Sequence, residues 1–239
     1  MADFNSVNMN NAGHRMDELP QTHHNIGALA TFAEYLGNYR PRKIPGRKFC
    51  VRSGVTIVLS AQPIARELSV LMIRRAKREG DPWSGNMGFP GGRAEGDDQS
   101  IFHAAVREFG EETGILARES ITPLGRLSEL VTRAHEKWVP MIITPFVFML
   151  HELPAWRLSR EVDEVVWVPL RFLMNRSNRT TMPYGGRGFR FRIPCYFYED
   201  RRIWGLSLLM LDELMTLFAH VEAGTSVRRR LFTFPRFEK

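Results

Sequence analysis

Residues 89–115 read FPGGRAEGDDQSIFHAAVREFGEETGI. The stretch opens on a tight Pro90-Gly91-Gly92 turn, crosses a short acidic loop and continues with helical apolar spacing. At about 100° per residue, Glu108, Glu111 and Glu112 fall within about 100° of one another on a helix. Phe102, Ala105, Val106 and Phe109 gather on an adjoining arc, so such a helix can bury one side and present three carboxylates to a cleft. Three like charges at that spacing repel, and a cation among them removes the repulsion. Hard oxygen donors suit Mg²⁺ or Mn²⁺. Gly110, in the middle of the helix, costs about 1 kcal/mol relative to Ala. A helix kept only for its charged surface gains nothing from that glycine, which points to the close approach of another backbone or a ligand.

Gly91, Gly92 and the run Arg107-Glu108-Phe109-Gly110-Glu111-Glu112-Thr113-Gly114-Ile115 resemble the signature box of the Nudix hydrolases. That box is Gly, five residues, Glu, seven residues, then Arg-Glu-apolar-any-Glu-Glu-any-Gly-apolar. The second half matches at every fixed position. In the first half the family's spacing puts the early acid at Gln99, and the neighbouring acids are Asp98, Asp97 and Glu95. The resemblance implies an α/β fold, an α/β/α sandwich around a mixed β-sheet, and the hydrolysis of a diphosphate linkage. It implies Glu111 and Glu112 as metal ligands, Glu108 as ligand or general base, and the Gly91 carbonyl as a further ligand. Arg107 stands at the i, i+4 spacing from which it can orient Glu111. The group that takes the proton often lies outside the box in this family, and Glu161, Asp163 and Glu164 are the candidates here. The same three acids read equally well as a charged strand edge.

A narrower resemblance, to the coenzyme A pyrophosphatase branch, rests on more of the chain. It is carried by Leu71-Met72-Ile73-Arg74-Arg75-Ala76, by Gly85 ahead of Phe89-Pro90-Gly91-Gly92, by EVDEVVWVPL over residues 161–170, and by Ile203-Trp204-Gly205-Leu206. Ile73 stands where that branch typically has Thr, and Asp81 where it has Arg. Arg75, Arg133, Lys137 and the backbone of Gly92 are the candidate substrate contacts, with Arg78 a further cation nearby. The expected substrate is coenzyme A or a related nucleotide. ADP-ribose, dinucleotides and nucleoside triphosphates remain open, as does a module that binds a nucleotide without cleaving it.

Outward from the box, 239 residues with 44% hydrophobic and 25% charged content fit a soluble globular protein with a substantial core. The formal net charge of +7 favours anionic partners without choosing among phosphates, nucleic acid and acidic membranes. Cys50 and Cys195 lie far apart in no ligand-like spacing, which speaks against a disulfide framework or zinc site and for a reducing compartment. The run Val139–Leu150 is too short to span a bilayer, and the first residues lack a signal-peptide pattern, so the expected location is cytoplasmic.

Residues 1–25 read as a disordered or extended arm, 26–225 as the domain, and 226–239 as a basic, aromatic tail. That tail reads as solvated rather than as a nucleic-acid or membrane contact. A packing helix is predicted over Ile26–Tyr39, where it could also serve a homodimer interface. Strands are predicted over Gly54–Ala61, Leu68–Arg74, Ile121–Leu130, Trp138–Leu150 and Glu161–Pro169, a short helix over Leu170–Asn175, extended pieces on either side of Tyr184-Gly185-Gly186, and a helix over Trp204–Val221.

Overall fold

The β-branched, apolar run at Gly54–Ala61 forms the middle of a long strand, β1 (Val51–Ile64), buried on both faces from Ser53 to Ser60. In the computed structural model, which describes residues 19–64, 67–79, 83–116, 120–133, 139–185 and 191–224, the main sheet is arranged about this strand. Along one edge β1 pairs in parallel with β7 (Pro140–Leu150), with Val51 opposite Met141 and Leu59 opposite Met149. Along the other edge it pairs antiparallel with β2 (Glu67–Arg75) at its far end and with β4 (Gly91–Arg93) at its near end. The short β3 (Met87–Gly88) pairs with β2 at Ile73 and Arg74. β3 and β4 therefore fill the gap where β1 and β2 part. β5 (Ile121–Arg126) and β6 (Leu130–Arg133) pair antiparallel with β7, and β8 (Val162–Pro169) pairs antiparallel with β2, which completes an eight-stranded mixed sheet.

Alternate residues of β1 feed two cores. Val55, Ile57 and Leu59 join a core with α1 (Leu19–Asn38) and α4 (Gly205–Glu222), where Phe32 meets Phe218 edge-on at 5.4 Å. Val58 joins Phe109 of α2 (Ile101–Thr113) in the second core, with Leu71 and Phe148. Helices thus cover both faces, giving the α/β/α sandwich around a mixed sheet. α2 can lie this close because β1 carries no side chain at Gly54, where a Cβ would come within 2.4 Å of the Ile101 carbonyl oxygen.

Several expectations are adjusted. The Pro90-Gly91-Gly92 segment is a bend at Pro90 that leads straight into β4 rather than a closed turn, and Gly91 begins that strand at a positive φ of 150 that favours glycine. The strand expected over Ile121–Leu130 is two strands, because the chain leaves the sheet at Leu127–Glu129 to place Glu129 under a group of arginines. The first helix starts at Leu19, inside the stretch read as an arm, with Pro20 in its first turn where proline is tolerated. After α3 (Leu170–Met174), the extended pieces are β9 (Arg179–Tyr184), β10 (Phe191–Tyr198) and β11 (Arg201–Trp204), which form a separate three-stranded antiparallel sheet. No helix among the described residues is long and apolar enough to cross a membrane. The basic tail, residues 226–239, lies outside the described residues.

Candidate active site

Ser100 starts α2 as its N-cap, its hydroxyl accepting from the His103 N–H, and Gly114 ends it in the left-handed conformation with its N–H donating to the Gly110 carbonyl. Between these caps the sheet-facing residues are Ala105 and Phe109, so Glu108 and Glu112 are turned toward β4. Glu112 is only 6% exposed, and its carboxylate accepts from the Gly91 N–H at 2.9 Å. Glu108 lies directly over Gly92, where an added Cβ would come within 2.1 Å of its carboxylate oxygen. Gly91 faces the other way, packed on Gly54 and Val55. The two glycines thus serve the seating of the carboxylates and of β4, while Gly110 has a smaller constraint, the Ile115 carbonyl 3.3 Å from where its Cβ would be.

Burial is the main cause that raises both carboxyls. It pushes Glu112 up to about 7, against the opposing effects of the Gly91 N–H and the Arg75 charge, and with help from the negative charges of Glu108 and Glu161. Glu108 is also raised by burial, and Arg107 works in the opposite direction. A protein that buries carboxylates beside one another holds a site short of positive charge.

Arg107 ties the site together. Its guanidinium donates to Glu108 at 3.1 Å, to Glu111 at 3.2 Å and to the Arg93 carbonyl at 3.1 Å. It also donates to both oxygens of Asp98, at 3.2 and 3.0 Å. Those bonds hold Asp98 below the usual carboxylate range and raise Arg107. Of the three acids of this loop it is Asp98, one position before the regular spacing, whose carboxylate bonds Arg107. Glu111 is more than half exposed and lies on the outer side of α2, bonded to Arg107. Among the described residues no three His, Cys, Asp or Glu side chains converge closely enough to hold one ion. Arg107 holds Glu108 and Glu111, and the Gly91 N–H holds Glu112. The donor set, all carboxylate oxygens on adjoining turns with the innermost one buried, still fits a hard divalent cation in its chemistry.

Of the remaining candidates, Arg75 ends β2 and its charge acts on Glu112. Glu161 also acts on Glu112, and pairs with Arg78 at 3.3 Å. Asp163 and Glu164 are engaged elsewhere: both bond Arg74, at 3.1 and 2.9 Å, and Glu164 also bonds Arg201 at 2.8 Å. Arg133 is at the exposed end of β6, separated from β4 by β7 and β1. Lys137 and Asp81 lie outside the described residues. Ser53, which sequence reasoning missed, donates its hydroxyl to the Gly92 carbonyl at 2.7 Å, and Thr56 donates its N–H and hydroxyl to the Pro90 carbonyl. Strand alternation from Gly54 would have put Ser53 beside β4 only if that pairing had been foreseen.

Residues 52–184 match the NUDIX domain family. A protein of Schizosaccharomyces pombe is 32% identical over 163 residues, which cover 61% of this chain and 49% of that protein, so the match spans about half of that relative's length. The Nudix hydrolase NudL of Photorhabdus laumondii is 29% identical over 152 residues, 63% of this chain and 78% of its own. Among solved structures, a MutT/nudix family protein from Enterococcus faecalis aligns with a TM-score of 0.48 and 17% identity, over 88% of this chain and 76% of its own. The Ap4A hydrolase of C. elegans aligns with a TM-score of 0.47 and 17% identity, over 73% and 98%.

Proposed function

The chain belongs to the Nudix domain family as one of its hydrolases, and from that premise we propose that it cleaves the diphosphate linkage of coenzyme A or a related nucleoside diphosphate derivative. Glu112 carries this reading: a buried carboxylate at about 7, seated on the Gly91 N–H beside Glu108, is unfavourable for a surface helix and suited to a site that receives a cation. Glu108, Glu111 and Glu112, with the Gly91 carbonyl, would hold Mg²⁺ or Mn²⁺. When bound, such an ion supplies charge neutralisation at the diphosphate and lowers the pKa of water.

The chain's own groups do the rest. Arg107 holds Glu108 and Glu111 on one side of α2 through its own bonds to Asp98 and the Arg93 carbonyl, so the carboxylates, which do not converge on one point, would need only side-chain turns on a braced helix to meet around the ion. Ser53 and the strand pairing fix the Gly92 carbonyl, which leaves the backbone of β4 as a rigid floor. Arg75, at the end of β2, is the cation best placed to meet a phosphate oxygen next to Glu112. Glu161 is the candidate to accept the proton, since it alone of the three later acids acts on Glu112, although it also pairs with Arg78 at 3.3 Å, while Asp163 and Glu164 face Arg74 and Arg201.

The test is product formation from coenzyme A, ADP-ribose, a dinucleotide and a nucleoside triphosphate with and without Mg²⁺, separated by chromatography. Metal-dependent cleavage with coenzyme A preferred is the expected result, and Glu111→Gln should lower it at least a hundredfold without loss of fold. Near-normal turnover in that variant removes the site assignment. A different preferred substrate removes the coenzyme A reading and leaves the hydrolase.

A further inference from the structure

An open pocket of about 570 Å³ lies at the β5 edge of the sheet, between the end of α1, the segment after it and the first turn of α2. Its lining includes three cations, Arg40, Lys43 and Arg126, and three aromatic rings, Tyr39, Phe102 and Phe146. No Asp or Glu among the described residues lines it. The acids closest to these groups are engaged. Glu129 accepts from the Ile44 N–H at 2.6 Å and pairs with Arg52 at 3.3 Å, with Arg126 further off at 4.0 Å. Glu213 accepts from the Tyr39 hydroxyl at 2.8 Å and the Ser128 N–H at 3.0 Å. At the end of α1 the Leu36 carbonyl takes the Tyr39 N–H and the Glu34 carbonyl takes the Asn38 amide, so these helix-end acceptors are also occupied. The field in the pocket is therefore set by its cations.

The pocket is not an extension of the carboxylate site. β4 and β7 lie on opposite edges of β1. Glu108 and Glu112 face β4, whereas Phe102 faces β7, edge-on to Phe146 at 5.3 Å. The two regions occupy opposite flanks of α2.

We propose that this pocket binds a nucleotide, with its phosphates on Arg40, Lys43 and Arg126 and its base against Phe102 and Phe146. Cavities of roughly 300–1,000 Å³ are the size that encloses such a ligand. Arg40 and Lys43, which pair with no acid among the described residues, and Arg126, only loosely paired with Glu129 at 4.0 Å, suit a phosphate, and a ring edge beside a ring face offers a planar base the contacts that aromatic pairs prefer. Arg40 and Lys43 are exposed, so changing them leaves the core intact.

Calorimetry of ADP against the full chain in EDTA tests this, because without a cation the carboxylate face repels the nucleotide. The expected result is one ADP site, weakened at least tenfold in the double variant R40Q/K43Q at unchanged Tm, weakened at least threefold in Phe102→Leu, and altered less than twofold in Glu112→Gln. Adenosine and inorganic pyrophosphate should each bind more weakly than ADP. No ADP binding in EDTA, binding by R40Q/K43Q within twofold of the parent, or loss of binding in Glu112→Gln would overturn the proposal. Pyrophosphate binding as tightly as ADP would overturn the role given to the rings. None of these outcomes depends on turnover, so the proposed hydrolysis can fail while this site stands, and the reverse.

Discussion

Glu112 joins stability to function in one side chain. Its carboxyl titrates near 7 in the folded chain and near the ordinary 4.5 when unfolded, so the folded form holds the proton more tightly. Metal-free stability is then greatest below the unfolded value and falls as pH rises from there through about 7, by about 3 kcal/mol at most. Glu112→Gln keeps an acceptor for the Gly91 N–H and removes the charge. In EDTA at pH 8 it should raise Tm by several degrees, the gain should vanish at pH 4, and metal-dependent turnover should be lost. Thermal denaturation across that range checks it; an unchanged Tm at pH 8 would mean the buried charge is not a burden. Gly92→Ala probes the neighbouring contact. The new Cβ meets the far end of Glu108, which can swing away, so we expect little change in Tm but at least a tenfold fall in kcat, measured side by side.

At the scale of elements, α2 and its acids were legible because a helix repeats every 3.6 residues, while its caps, Ser100 and Gly114, came to light with the structure. The Arg107–Glu111 bond followed from spacing alone. What could not be read was anything set by pairing across the chain. β4 is an extended strand because β1 offers it partners at Ser53 and Val55, and nothing within Pro90-Gly91-Gly92 announces that. The choice among Asp98, Asp97 and Glu95 was likewise open in sequence, since it depends on how the loop folds back to Arg107. Asp98→Asn should lower turnover about tenfold by loosening Arg107, with Glu95→Gln near the parent value; equal effects in both variants would remove Asp98 from its assigned place. Glu161 separates from Asp163 and Glu164 only once its charge is seen to act on Glu112, which the other two do not reach.

For the whole molecule, the sandwich, the order of its elements and the extended pieces that become β9 and β10 could be anticipated from the sequence patterns, while their joining with β11 in a sheet of their own could not, because these strands are mostly exposed and lack the buried alternation that marks a core strand. The two central strands, β1 and β7, run parallel and are separated in the chain by everything from β2 to β6. Such a pair cannot form early or locally: loop-closure entropy must be met before its contacts return anything. Assembly of this protein should therefore wait on a late meeting of strands from its two halves, during which the apolar edge of β1 stands open to pairing with other chains. Val147→Ala, in the buried centre of β7, should slow refolding more than it speeds unfolding in stopped-flow denaturant series, and the reverse split would place that meeting after the barrier. The parallel seam that gives the sheet its centre would then also set the interval in which a newly made chain most depends on protection from its neighbours.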